Sequence, residues 1–137
     1  MSETERTLVL VKPDGVRRAL VGQILARYEA KGLRVAAMEM RRIDAAFAAR
    51  HYAEHVGRDY YPGLEAYITS GPLVALVLEG DRVVEAVRAL NGATDAVTAA
   101  AGTIRGDLAL SMQQNLVHAS DSPQSAAREV ALWFPEL

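Results

Sequence analysis

Apolar and polar positions follow two periods along this chain, and each period predicts one kind of element. Apolar and β-branched runs bounded by turn residues predict strands. The four predicted strands are 7–12, 33–43, 73–78 and 116–119. Apolar residues at helical spacing, together with residues typical of helix ends, predict helices. The predicted helices are 21–31, 44–55, 83–91 and 122–134, with one or two further helical turns at 64–69.

Residues with specific backbone preferences mark where these elements begin and end. Asp44 and Ser122 are predicted N-caps, and Pro123 suits the first position of the last helix. Gly32 is a predicted C-cap. Segment 92–115 has weak periodicity and is predicted to be a long loop, which in a compact domain is usually functional or disordered.

The order of the predicted elements indicates the fold class. If the two middle helices count as one crossover, the order is the βαββαβ of a ferredoxin-like fold. We therefore expect an α+β protein with a four-stranded antiparallel sheet and helices packed on it. The length of 137 residues suits a single domain, residues 1–137.

Composition and charge narrow the classes of function. A net charge of −2 argues against nucleic acid as the main partner but allows a local cluster of cations. The absence of cysteine excludes disulfides, thiolate metal sites and cysteine nucleophiles. The first residues lack a signal-peptide pattern, and the longest apolar run, 72–78, is too short to span a bilayer. We therefore expect a cytoplasmic protein that does not enter membranes.

His118 is the first candidate for chemistry because it lies between a predicted strand and a predicted helix. A neutral imidazole is a good nucleophile, and such junctions face clefts. Ser122, Ser125 and Glu129 share one face of the last predicted helix, so the carboxylate of Glu129 can hold one imidazole nitrogen and leave the other free. An isolated histidine is more often a packing residue, so the argument depends on these neighbours.

Cations and aromatic residues suggest what such a histidine would act on. Phosphoryl transfer needs positive groups around the moving charge, and Lys12, Arg88 and Arg105 are candidates. Taken singly, each is more commonly a solvated surface charge. Tyr60 and Tyr61 precede a Pro-Gly turn, where an aromatic ring can stack on a nucleobase, although packing is the commoner use.

The segment 115–122, Asn-Leu-Val-His-Ala-Ser-Asp-Ser, resembles the signature of the nucleoside diphosphate kinases, Asn-x-x-His-(Gly/Ala)-Ser-Asp-(Ser/Thr). Further blocks match the family in order and spacing, so the resemblance covers essentially the whole chain. They are Val11-Lys12-Pro13-Asp14-Gly15-Val16, Ile68-Thr69-Ser70-Gly71-Pro72, Gly92-Ala93-Thr94-Asp95, Gly102-Thr103-Ile104-Arg105-Gly106-Asp107 and Glu129 with Trp133-Phe134.

The resemblance implies an enzyme that moves the γ-phosphoryl group of a nucleoside triphosphate, mainly ATP, to a nucleoside diphosphate and so maintains triphosphate pools. The implied mechanism is ping-pong, through a phosphohistidine formed on Nδ1 of His118. By the same resemblance, Glu129 orients this histidine, Ser120 supports it and Lys12 belongs to the catalytic set. Mg²⁺ is expected to arrive with the nucleotide phosphates and not to bind the protein directly, with Asp121 touching it only through water.

The resemblance also assigns nucleotide contacts. Lys12, Arg88 and Arg105 match phosphate-binding cations, and Tyr52 matches a residue near the phosphates. The other matches concern phosphate, ribose and base. Thr94 and Asn115 match hydrogen-bond donors to phosphate and sugar, Lys12 and Asn115 are expected near the ribose 3′-hydroxyl, Tyr60 matches the stacking aromatic, and Met112 matches the apolar residue on the base's other side.

The chain departs from the family pattern at three positions. Tyr60 stands where phenylalanine is usual, and Ala96 and Ala101 replace two common prolines in the 92–115 loop. The loop often packs at subunit contacts in the family, and the chain ends soon after Phe134, without the longer tail of some members. The resemblance favours a hexamer built from dimers, with a tetramer as the alternative.

Two other functions compete with the kinase hypothesis. A ferredoxin-like domain with an anion-binding loop can act as a regulatory module that binds nucleotide without turnover. Loss of His118 or Glu129 would favour that reading, and both are present. A nucleic-acid-binding role is disfavoured by the net charge and by the absence of a basic run.

Overall fold

The computed structural model describes residues 5–137, so the part of the predicted domain formed by residues 1–4 lies outside the described residues. The strands are β1 (Glu5–Val11), β2 (Arg34–Arg41), β3 (Leu73–Gly80) and β4 (Val117–Ala119). The helices are α1 (Pro13–Arg17), α2 (Val21–Ala30), α3 (Ala45–His51), α4 (Tyr61–Ile68), α5 (Val83–Asn91), α6 (Ile104–Leu108) and α7 (Pro123–Trp133).

The four strands form one antiparallel sheet in the order β2-β3-β1-β4. This is the strand order of a ferredoxin-like α+β fold, and the prediction of that fold class is confirmed. Alternate residues of β1 point to opposite faces, so Val9 and Val11 pack on α2 and α5, whereas Leu8 and Leu10 pack on the side of α3, α4 and α7. Helices on both faces explain why the apolar run in β3 is unbroken.

Two short helices and the end of one longer helix differ most from the sequence predictions. Segment 13–17, which lies outside every predicted element, is the short helix α1, with Pro13 at its first position. The predicted loop 92–115 contains α6, capped by the Thr103 hydroxyl, which accepts from the N–H of Gly106. The predicted helix 44–55 ends at His51 and continues as turns. The N-caps Asp44 and Ser122 are confirmed, since each side chain accepts a backbone N–H of its helix.

No helix among residues 5–137 is both long and apolar enough to cross a bilayer. The helices of that range are short, and the longest, α7, has 11 residues.

Candidate active site

A cavity of about 350 Å³ lies at the end of the sheet where β1 and β4 pair. In this pair Leu10 lies opposite His118, and Lys12 follows directly after β1, so the register brings the two predicted residues to one place. The other walls come from the end of α3 and from α5, α6 and α7. The predicted site residues that line the cavity are Lys12, Tyr52, Arg88, Thr94, Arg105, Asn115, His118, Asp121 and Glu129.

Hydrogen bonding holds the imidazole of His118 at one nitrogen only. Its Nε2 lies 2.7 Å from Oε1 of the buried Glu129 carboxylate. The Ser120 hydroxyl donates to the same oxygen at 3.0 Å and accepts from the N–H of Leu8 at 3.4 Å. A carboxylate acceptor places the proton of a neutral ring on Nε2, so Nδ1 keeps its lone pair. Among the hydrogen bonds found within residues 5–137, Nδ1 of His118 makes none.

Lys12 and Arg105 bring buried positive charge to the cavity. The Nζ of Lys12 donates to Oδ1 of Asn115 at 3.0 Å. Arg105 donates to the carbonyls of Gly92 at 2.8 Å and Val117 at 2.7 Å. Within the described residues neither cation forms an ion pair with a carboxylate, so the cavity keeps an excess of positive charge that suits a polyanion.

Burial sets the acid–base properties of these cations. Desolvation, assisted by the nearby Arg105, lowers the pKa of Lys12 to about 8, although Asp14 opposes the shift. Desolvation also lowers the pKa of Arg105. A bound phosphate would supply the negative charge that both groups lack.

The side chain of Asn115 is hydrogen-bonded within the protein at both its amide nitrogen and its amide oxygen. Both hydrogen bonds from its Nδ2 go to backbone carbonyls, those of Thr94 and Met112, each at 3.0 Å. Its Oδ1 holds Lys12. In this structure Asn115 therefore ties the 92–115 segment to the buried lysine.

A strained turn precedes β4 and is locked by residues far away in the sequence. Leu116 has a φ of 76°, rare for a residue with a side chain, and the N–H of Val117 donates to the carbonyl of Asn115 at 2.9 Å. The buried Asp14 carboxylate accepts from the N–H of Leu116 at 3.1 Å and from the Tyr67 hydroxyl. This turn sets the direction in which the chain enters β4 and reaches His118.

Tyr60, Met112 and Ser120 do not line the cavity. Ser120 is buried beneath it and acts through Glu129. Tyr60 and Met112 are exposed, and the Tyr60 hydroxyl lies 2.5 Å from Nδ1 of His55, which does line the cavity. Their chain segments are adjacent, since a Cβ built on Gly63 would lie 3.2 Å from Nε2 of Gln113.

Two residues near His118, namely Asp14 and His51, were not predicted from the sequence to belong to the site. Asp14 was named only within a block that resembles the family, and nothing local indicates that its carboxylate reaches Leu116, 102 positions later. His51 packs edge to face on His118 with ring centroids 4.7 Å apart. Its position at the end of an alanine-rich helix gave no signal of this contact.

His51, His118 and Glu129 each place one ligand atom within 4.8 Å of the others, which raises the question of a metal site. Trp133 Nε1 donates to Nδ1 of His51 at 3.0 Å, so the neutral His51 ring carries its proton on Nε2. A protonated nitrogen is a donor and not a metal ligand. The cluster is therefore better described as a hydrogen-bonded imidazole pair with its orienting acid.

A ferredoxin-like sheet that presents an imidazole in a cation-lined cavity has the features of a histidine phosphotransferase. A family model described as nucleoside diphosphate kinase matches residues 5–137. A nucleoside diphosphate kinase of a Nocardioides species is 67% identical over 96% of this chain and 98% of its own length. That of Cutibacterium acnes is 63% identical over 100% of this chain and 99% of its own. The chain belongs to the nucleoside diphosphate kinase family.

Solved structures agree with this assignment. A halophilic nucleoside diphosphate kinase from Halobacterium salinarum, in complex with CDP, superposes with a TM-score of 0.95 at 48% identity. The match covers 98% of this chain and 90% of that one. The function of the chain is that of its family, ping-pong phosphoryl transfer between nucleoside tri- and diphosphates through a histidine.

Proposed function

We propose that the histidine of this reaction is His118 and that Nδ1 is the attacking atom. The Nδ1 lone pair forms a bond to the γ-phosphorus, the bond to the β–γ bridging oxygen breaks, and its electron pair leaves with the nucleoside diphosphate. The Nε2 proton stays in place, so the ring becomes positive, and the Glu129 carboxylate at 2.7 Å stabilises that charge. A terminal phosphate oxygen of a second nucleoside diphosphate then attacks the phosphorus and restores the neutral ring.

Lys12, Arg88 and Arg105 bind the phosphates in this proposal. Charge on the moving phosphoryl group is stabilised best by cations already fixed in place. Lys12 and Arg105 are fixed by the hydrogen bonds to Asn115, Gly92 and Val117 described above. Arg88, which is exposed on α5, and the cavity-lining Tyr52 and Thr94 complete the phosphate contacts.

The base and ribose occupy the outer part of the site. We assign the base to the space between Tyr60 and Met112, whose segments lie side by side. Stacking does not read base identity, so one site serves many nucleotides. The Lys12–Asn115 pair is the proposed neighbour of the ribose, with Lys12 as the group that donates to it.

Mg²⁺ is the proposed metal, held mainly by the nucleotide phosphates. It prefers oxygen ligands and keeps several waters, which the two imidazoles near Glu129 do not suit. Asp121 does suit such a metal, because hydrogen bonding from Ser125 lowers the pKa of its carboxyl group and it lies on the cavity wall. When bound, the ion would neutralise phosphate charge, with Asp121 touching one of its waters.

The geometry of the Glu129–His118 pair carries this proposal, and isotope labelling tests it. Incubation with γ-³²P-ATP and Mg²⁺ should give acid-labile label that GDP removes, and a chelator should prevent it. His118→Ala should remain unlabelled, whereas Glu129→Gln should be labelled more slowly because its amide stabilises the positive ring less well. Normal labelling of His118→Ala would refute the assignment.

We also propose that the chain assembles into a hexamer built from dimers. The free edge of β2 exposes Met38 and Met40, 54% and 59% accessible, and the 92–115 segment exposes Val97 and Leu110, 68% and 85% accessible. Apolar patches at two separate places suit two kinds of contact. Light scattering should give six times the chain mass of 14.8 kDa, and four times the chain mass would indicate the tetramer.

The cytoplasmic location stays a prediction.

A further inference from the structure

His51 is a buried imidazole beside the nucleophile that the proposed reaction does not use. It ends α3 and is 3% exposed. Its ring meets that of His118 edge to face, with centroids 4.7 Å apart and planes at 77°. On its other side it meets Trp133, again edge to face, with centroids 5.4 Å apart. His51 therefore lies between the nucleophile and the tryptophan of α7.

Trp133 fixes the tautomer of this ring, and burial keeps the ring uncharged. Its Nε1–H donates to Nδ1 of His51 at 3.0 Å, which leaves the proton on Nε2. Burial lowers the pKa of His51 well below its ordinary value, and the neighbouring His118, Arg128 and Lys12 lower it further. Within residues 5–137 the buried Nε2 has no hydrogen-bond partner. Packing and the single bond from Trp133 thus hold an uncharged ring in place.

His118 needs such a neighbour because one hydrogen bond does not fix a ring. The Glu129 contact holds Nε2, and the imidazole can still swing about the axis through that bond. Nδ1 lies away from Nε2 on the ring, so a swing moves the attacking atom off the line to phosphorus. A second ring packed against the imidazole removes that freedom without adding a charge.

We propose that His51, held by Trp133, is a positioning residue that fixes the plane of the His118 ring for attack. The proposal rests on His118 being the phosphorylated residue. It assigns the effect to the ring contact and not to proton transfer by His51. A ring of similar shape without nitrogens should therefore replace it.

Single-turnover phosphorylation by γ-³²P-ATP tests the proposal with two substitutions. His51→Ala should lower the phosphorylation rate about 10–30-fold, because a small displacement of an attacking group costs up to about 100-fold. ATP affinity should change less than about 2-fold, since His51 is not a phosphate ligand. His51→Phe keeps the ring contact but loses the hydrogen bond from Trp133, so it should be faster than His51→Ala and about 3–5-fold slower than the original protein. Ile24→Ala is the control for lost packing, because Ile24 is fully buried on the opposite face of the sheet and does not line the cavity, so it should lower stability and leave the phosphorylation rate unchanged.

Two outcomes would overturn the proposal. One is a folded His51→Ala protein that is phosphorylated at the original rate. The other is a His51→Phe protein as slow as His51→Ala, because that would show that an imidazole nitrogen, and not the ring contact, is important. If His51→Ala does not fold, Trp133→Phe removes the N–H donor and keeps an aromatic ring. It should slow phosphorylation about 3–10-fold, and an unchanged rate would refute the positioning role. Failure of His118 to be labelled in the unsubstituted protein would instead refute the proposed function.

Discussion

Lys12, the proposed phosphate-binding lysine, lowers the stability of the folded protein. Its pKa is about 8, against 10.5 for an ordinary lysine, because its charge is buried. At pH 7 the group is protonated in both the folded and unfolded chain, so the folded state bears the whole cost. Each unit of pKa shift corresponds to about 1.4 kcal/mol, so the shift from 10.5 to about 8 sets an upper bound of about 3.5 kcal/mol on that cost.

Lys12→Met should therefore abolish phosphorylation and raise the free energy of unfolding at pH 7 by about 1–2 kcal/mol, after loss of the Asn115 bond is included. The unfolded chain binds more protons than the folded chain between pH 8 and 10.5, so the original protein gains stability as pH rises there. The advantage of the variant should shrink accordingly. Urea unfolding at about pH 7 and pH 9 measures both effects, and a variant less stable at pH 7 would contradict them.

Tyr60 illustrates how a departure from the family pattern is accommodated at one residue. Its extra hydroxyl lies 2.5 Å from Nδ1 of His55, so it has a hydrogen-bond partner within the protein. Tyr60→Phe should raise KM for nucleoside diphosphates about 2–3-fold, since one ordinary hydrogen bond positions the ring, and leave kcat unchanged. His55→Ala should do the same, and the double variant should add nothing. Additive effects in this double-mutant cycle would show that the pair is not coupled.

At the scale of elements, α6 is a short helix that depends on close packing. A side chain on Gly106 would collide with the carbonyl of Ala100. Gly106→Ala should displace α6, lower the free energy of unfolding by about 2 kcal/mol or more, and slow phosphorylation because Arg105 moves with the helix. Gly22→Ala is the matched control in α2, where nothing lies within 4 Å, and it should raise stability by about 0.5–1 kcal/mol. Equal effects in urea unfolding would contradict this account.

The elements that sequence predicted well are those whose evidence is local. Six consecutive apolar residues predict β3, and the Ser122-Pro123 pair predicts the start of α7. α1 and α6 have five residues each, too few to show a helical period, and exist because Asp14 and Arg105 are anchored elsewhere in the chain. His118 and Glu129 could be paired from spacing, since they lie 11 positions apart. The contact between His51 and His118 could not be predicted in this way, because the two residues lie 67 positions apart.

At the scale of the molecule, the free edge of β2 is the expected dimer contact. Met38 and Met40 are exposed on this strand, and unpaired backbone groups at a sheet edge can pair with another chain. The double substitution Met38→Glu and Met40→Glu should reduce the mass in solution, because like charges would meet across the contact. Leu137→Glu, at an exposed apolar residue away from β2, is the control and should keep the original mass in light scattering. An unchanged mass for the double variant would place the contact elsewhere.

α7 packs on β1, so a late helix of the chain covers the first strand of the sheet. This helix also supplies Glu129 and Trp133, which orient the two histidines. During synthesis on the ribosome His118 therefore emerges before Glu129, the acid that orients its ring. A partly made chain that lacks α7 contains the proposed nucleophile without the groups that orient it, so we expect competence to take phosphate from ATP to begin only after α7 has folded onto the sheet.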